Sequence, residues 1–197
     1  MFCIGNNCCT GYLYHKLHIP FNNPFVWMVL PNKSVYNLLS NFYHINWSNI
    51  SMRKSNIKPN TYIITVDDII DIHYVHYHLN PMAAKLTCIK SANRLQNHLE
   101  WKYIYKYIVE KYFERVKRMV MLKEPPCFLI DEETYITDSI SLSDIALVDS
   151  PFKRYIISTQ KITVDNELVF NNVINRKMLP IDVVDTHINS IMSFIGA

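Results

Sequence analysis

Cys8 and Cys9 are the residues of this chain best placed to do chemistry. They follow a short apolar run that ends at Gly5, are preceded by Asn6 and Asn7, and open an amphipathic stretch marked by Tyr12, Leu13 and Leu17. The pattern reads as a strand, a tight turn and the first turn of a helix. At such a place unpaired helix N–H groups and the positive end of the helix dipole converge, which favours a thiolate over a thiol. Two of the chain's three glycines, Gly5 and Gly11, bracket the segment. A backbone so short of glycine uses it where geometry requires it.

A cysteine nucleophile needs a base within hydrogen-bond reach and a third group to orient that base. His76, at the end of an apolar strand within His73-Tyr-Val-His76-Tyr-His78, is the candidate base. His73 lies three residues earlier and points to the opposite sheet face, whereas His78 shares the face of His76. Asp131, directly after the apolar run 127–130, is the candidate orienting group. Asn6, Asn7 and the amide of Cys9 are candidate oxyanion donors. Trp27 and Tyr77 are the candidate substrate contacts.

Each of these residues has a plainer reading. A free cysteine is often a small buried hydrophobe, and a strand histidine is often only packed and hydrogen-bonded. Asp131 at a strand end can simply cap the next turn. Trp27 and Trp101 fit core packing at least as well as a glycan-stacking role, and Trp47 is the third candidate for stacking. No Cys-x-x-Cys or His-x-x-x-His spacing accompanies the histidines, so no metal is expected. There is no glycine-rich phosphate loop, and no cofactor is expected.

The elements that must position these groups follow from periodicity and breakers. Strands are expected at 2–5, 25–30, 62–66, 69–77, 127–130 and 154–158. Segments 162–164 and 168–170 flank Asp165-Asn166-Glu167 and read as a hairpin. Helices are expected at 9–17, from a cap at Asn32 through Phe42, across 80–122, at 139–148 and at 180–195. Segments 18–24 and 46–60 read as loops. In the long helix Trp101, Ile104, Ile108, Tyr112, Val116 and Met119 form an apolar stripe, and Lys102, Lys106, Glu110 and Glu114 line the other side. Strands alternating with helices imply an α/β fold: one domain over 1–197, with a mixed, mostly buried sheet flanked by helices.

Composition narrows the function. At 197 residues, 49% apolar and 19% charged, the chain has the balance of a globular domain. A net charge of +3 does not argue for nucleic acid, because acidic residues dilute the basic ones of 102–123, which read as a solvated helix face. No apolar run approaches the ~18 residues of a membrane span, and no signal-peptide pattern opens the chain. Five cysteines without framework spacing point to reduced thiols and a cytoplasmic setting.

The segment Gly5-Asn-Asn-Cys8-Cys-Thr-Gly11 resembles the Asn-Asn-Cys-x-Gly-Gly signature of an uncharacterised bacterial family, the domain of unknown function 1919. That family is associated with exopolysaccharide biosynthesis and is related to papain-like cysteine peptidase domains. Further blocks resemble it in the same order: Leu17-His-Ile-Pro-Phe-Asn-Asn-Pro-Phe25, Asp71-Ile-His-Tyr-Val-His-Tyr77, Lys111-Tyr-Phe-Glu-Arg-Val-Lys-Arg118 and Ser150-Pro-Phe-Lys-Arg-Tyr-Ile-Ile-Ser158. The resemblance covers roughly residues 2–160 and implies an α/β fold with a Cys–His site at Cys8 and His76. It names no settled substrate. The chain departs from the family in a longer stretch between His78 and Glu110, read as a helical insertion around 79–110. Cys9 stands where tryptophan is usual, and Thr10 where glycine is. These changes alter the walls beside Cys8 and leave room for an inactive or repurposed member.

The reading that results is a cysteine-dependent hydrolase or acyltransferase in polysaccharide or glycoconjugate metabolism, with a glycan or glycoconjugate as substrate. One alternative is a non-catalytic glycan- or protein-binding module on the same scaffold. The other is a glycosyltransferase-like polysaccharide biosynthesis protein, for which Asp67-Asp68 and Asp131-Glu-Glu133 are imperfect versions of an Asp-x-Asp metal pair. The sequence leaves the oligomeric state open.

Overall fold

Among the described residues the apolar runs assemble into two sheets, the first lying between two hydrophobic clusters. In the computed structural model, residues 2–56, 62–74, 94–132, 136 and 138–196 are described. The first sheet contains β1 (Cys3–Gly5), β5 (Cys127–Asp131), β6 (Arg154–Ser158) and β7 (Val169–Val173), in the order β1-β5-β6-β7. All its pairings are parallel. The second is an antiparallel meander of β2 (Ile50–Lys54), β3 (Tyr62–Val66) and β4 (Ile70–Tyr74). The expected α/β fold is therefore observed, with its parallel and antiparallel pairings divided between two sheets.

The first sheet is covered on both faces, which suits parallel strands made of nearly continuous apolar residues. Alternate residues face opposite clusters. On one side Leu129, Tyr155 and Ile157 meet α1 (Cys9–Lys16) and α5 (Pro180–Ile195) through Leu13, Tyr14, Val183, Val184 and Ile191. On the other side Ile4, Phe128, Ile130 and Ile156 meet α2 (Asn32–Asn41), α3 (Arg94–Val120), α4 (Leu142–Leu147) and the second sheet. Ile108, Tyr112, Val116 and Met119 of the predicted stripe on α3 are buried in that cluster. The side chains of Trp101 and Ile104, and residues 79–93 of the expected insertion, lie outside the described part of the chain.

Three expected elements differ. Segment 25–30 makes a turn and a single bridge between Val29 and His73. Its side chains serve both clusters, Val26 one and Phe25, Met28 and Leu30 the other, so the segment links two cores and lacks a strand's single register. Residues 50–54, read as loop, form β2, an edge strand whose polar residues hid it. The pair 162–164 and 168–170 does not close a hairpin. The turn at Asn166, whose backbone and side-chain oxygens accept from Val169 and Leu168, delivers the chain into β7 parallel to β6. Ile162 and Val164 instead pack on the core as a strap.

Capping is supplied partly from a distance. Asn32 is the first residue of α2, and Pro31 precedes it as cap. The Lys33 N–H donates to Asp138 at 2.8 Å, so a carboxylate far along the chain closes this helix end. At α4, Ser141 and Asp144 form a reciprocal capping box.

Candidate functional site

The carboxyl end of β1 and the start of α1 meet the carboxyl end of β5. Gly5 is required there because a Cβ would stand 2.6 Å from the Thr10 methyl carbon. Asn6, fully buried, clamps the last residue of β5. Its Nδ2 donates to the Asp131 carbonyl oxygen at 2.7 Å, and its Oδ1 accepts from the Asp131 N–H at 2.9 Å. Asn7, also fully buried, donates from Nδ2 to Asp131 Oδ2 at 2.9 Å and accepts the Cys9 N–H on Oδ1 at 2.9 Å. Asn6, Asn7, Cys9 and Asp131 thus form one interior network, and the donors of Asn6 and the Cys9 amide are engaged within it.

The adjacent cysteines face different surroundings. Cys9 is fully buried, its Sγ 3.5 Å from Asp131 Oδ2 and 3.7 Å from the Pro180 carbonyl oxygen. Burial first, and then the neighbouring Asp131 carboxylate, push its thiol well above the ordinary value. Cys9 is therefore a neutral interior thiol. Cys8 is partly exposed and occupies the N-cap position of α1, where its carbonyl oxygen accepts from Tyr12 N–H at 3.1 Å. The helix end favours negative charge at this position.

An aromatic shelf adjoins the first turn of α1. Trp27, half-buried and held at a φ of +66°, lays its indole on Gly11, where a Cβ would come within 2.2 Å of Trp27 Cδ2. Tyr12 meets the same indole edge to face, with centroids 4.7 Å apart. Gly11 and Tyr12 stand three and four residues beyond Cys8, so the shelf shares its side of the helix. A positive φ at a bulky residue is rare, and such backbone concentrates at functional sites. The four-residue spacing from Cys8 is the sequence signal for Tyr12 at this site, whereas nothing local to Gly11 names the indole that covers it.

Of the sequence-derived site residues, Asn6, Asn7, Cys8, Cys9, Asp131 and Trp27 converge on this end of the first sheet. His76, Tyr77 and His78 lie outside the described residues, as do Cys88 and Glu133. Strand β4 reaches Tyr74. His73 is buried and pairs through its backbone with Val29. Burial lowers its imidazole from 6.5 to about 4, against the opposing pull of Asp71, so it is neutral. Asp67 and Asp68 form the β3–β4 turn with φ of +51° and +57°. The Asp67 carboxylate is held by Asn46 N–H and Asn49 Nδ2. Among the described residues, no group of three or more His, Cys, Asp or Glu side chains could hold a metal ion.

The basic block of α3 is mostly the solvated face expected of it, with Lys102, Lys106, Lys117 and Arg118 exposed, and Arg115 is the buried exception. Arg115 is buried and donates to the Val26 carbonyl oxygen at 3.0 Å, and Arg118 donates to that of Phe21 at 3.0 Å. Both fasten the loop that carries Trp27. No helix among the described residues is long and apolar enough to cross a membrane.

A family model described as a domain of unknown function, DUF1919, matches residues 1–119, more than half of the chain. Cys8 and Trp27 fall inside the matched stretch and Asp131 beyond it. No curated protein matches the chain.

Proposed function

The chain belongs to the DUF1919 family, and from that premise we propose a cysteine-dependent hydrolase or acyltransferase acting on a glycan or glycoconjugate, with Cys8 as the nucleophile. The observation that carries this reading is the division of labour between neighbours: Cys9 is sealed and protonated, while Cys8 is accessible at the start of an eight-residue helix. In this reading the Cys8 sulfur attacks a carbonyl carbon and His76, assigned from sequence, moves the proton. Asp131 acts on Cys8 through the turn, since it holds Asn7 and Cys9 on either side of it. Trp27 and Tyr12 offer a stacking wall to a sugar ring. The likeness to papain-like enzymes is local, a thiol at a helix amino end. Reduced thiols suit a cytoplasmic setting, and exopolysaccharide assembly is the process that the resemblance suggests.

The test is thiol reactivity, which needs no substrate. Iodoacetamide at neutral pH is expected to label Cys8 ahead of Cys3, Cys9, Cys88 and Cys127, with a rate that rises at a lower pH than for an ordinary thiol near 8.5. Cys8→Ala removes that fast phase. Labelling of Cys8 no faster than Cys88 overturns the reading.

A second reading, a non-catalytic glycan-binding module, is favoured by the strained and half-buried Trp27. It expects glycan-induced quenching of tryptophan fluorescence that survives Cys8→Ala and disappears in Trp27→Ala.

A further inference from the structure

We propose that Cys3 and Cys127 form a peroxide-oxidisable dithiol, and that its oxidation joins β1 to β5 through a disulfide at the end of the sheet opposite Cys8. The two residues are register partners on adjacent parallel strands. Strand spacing puts their Cα atoms about 4.8 Å apart, within the span of a disulfide. Register partners send their side chains to the same face, and both belong to the cluster beneath α1 and α5. The two sulfurs act on each other electrostatically. The Cys127 thiol also lies 3.4 Å from the Phe2 carbonyl oxygen.

Access distinguishes the partners. Cys3 is fully buried, whereas Cys127 keeps 7% exposure. Cys127 lines a cavity of about 430 Å³ at the amino-terminal end of the parallel strands, together with Phe2, Pro126, Lys153 and Ile195. The neighbouring sulfur pushes the Cys127 thiol down and the Cys3 thiol up; burial opposes the first shift and adds to the second. Cys127 is thus the attacking thiol and Cys3 the resolving one.

The chemistry balances with hydrogen peroxide, a small neutral oxidant that a cavity open to solvent admits. The Cys127 sulfur attacks one peroxide oxygen, the O–O bond breaks, an S–O bond forms, and a water leaves with the second oxygen. The sulfur is oxidised to a sulfenic acid as the peroxide is reduced. The Cys3 sulfur then displaces the sulfenic oxygen, which leaves as a second water carrying the Cys3 proton, and the S–S bond closes. At that spacing the bridge falls inside the usual Cα range of a disulfide.

The test treats the full reduced chain with hydrogen peroxide, blocks remaining thiols, and maps peptides by mass spectrometry without reduction, with dimedone as sulfenic acid trap. The expected product is a Cys3–Cys127 linked peptide pair that has lost two hydrogens and is restored by dithiothreitol. In Cys3→Ser the bridge is lost and dimedone accumulates on Cys127; in Cys127→Ser neither bridge nor label forms at Cys3. The wild-type map alone decides the matter if either variant fails to fold. Oxidation of Cys8, Cys9 or Cys88 while Cys3 and Cys127 remain free overturns the proposal.

Discussion

The indole of Trp27 rests on the bare Cα of Gly11, and this contact sets the aromatic wall beside Cys8. A Cβ at Gly11 would stand 2.2 Å from Trp27 Cδ2 and 2.6 Å from Cε2 and Cε3. Arg115 and Arg118 hold the Trp27 loop from the other side through the Val26 and Phe21 carbonyl oxygens. The backbone that carries the ring is therefore held in place.

Gly11→Ala is expected to destabilise the protein even though alanine is the better helix former. The gain from helix propensity is about 1 kcal/mol, whereas overpacking of this kind costs about 1–3 kcal/mol and more where the ring is pinned. The urea midpoint should fall with an unchanged slope, and tryptophan emission should shift to longer wavelength as Trp27 is displaced. An unchanged midpoint and spectrum would mean that the contact is slack.

Asn6→Ala strands two backbone groups of Asp131, its N–H and its carbonyl, in a buried site. Each orphaned group costs about 1–3 kcal/mol, so a loss of about 2–6 kcal/mol is expected in chemical denaturation. Asn6→Asp should fail as well, because a carboxylate oxygen would then face the carbonyl that the amide N–H₂ satisfied. A loss below about 1 kcal/mol for Asn6→Ala would show that water replaces the side chain.

Arg154 is a fully buried cation whose guanidinium gathers carbonyl oxygens at the end of α4. Nη1 donates to Ile145, Ala146 and Val148 at 3.1, 3.2 and 2.7 Å, and Nη2 to Ser150 at 3.4 Å. Arg154→Met keeps the volume and leaves those oxygens unpaired, with an expected cost of about 3–5 kcal/mol. Arg154→Lys keeps the charge but not the planar fork, and should recover part of the loss. Equal stability of the two variants would show that charge contributes nothing there.

His73 predicts an acid limb in the stability profile. Its ordinary value of 6.5 falls to about 4 in the folded chain because burial opposes the charged form. The unfolded state therefore binds a proton more readily. The stabilisation is complete above pH 6.5 and is lost as pH falls through about 4. A shift of that size bounds the effect at about 3 kcal/mol. Urea midpoints between these limits should decline more steeply in the native sequence than in His73→Gln, and parallel profiles would remove His73 as the cause.

Local features were legible from residues close together in the chain. The turn between Gly5 and Gly11, with its cysteines at a helix start, needs only neighbours along the chain. So do the stripe on α3, the helix 180–195 and the apolar strands 62–66, 127–130 and 154–158, because period and breakers are local signals. Which of the two cysteines is exposed depends on long-range packing. Cys8 and Cys9 are adjacent, but Cys9 turns toward Asp131, 122 residues away, and Asn6 reaches the same residue across 125. Segment 25–30 has the apolar run of a strand, yet it must feed two cores and present Trp27 to Gly11. Polar β2 gained a partner only once β3 lay beside it. Side chains are distributed by the packing of distant elements, and no spacing within one segment encodes which distant donor or acceptor will meet it.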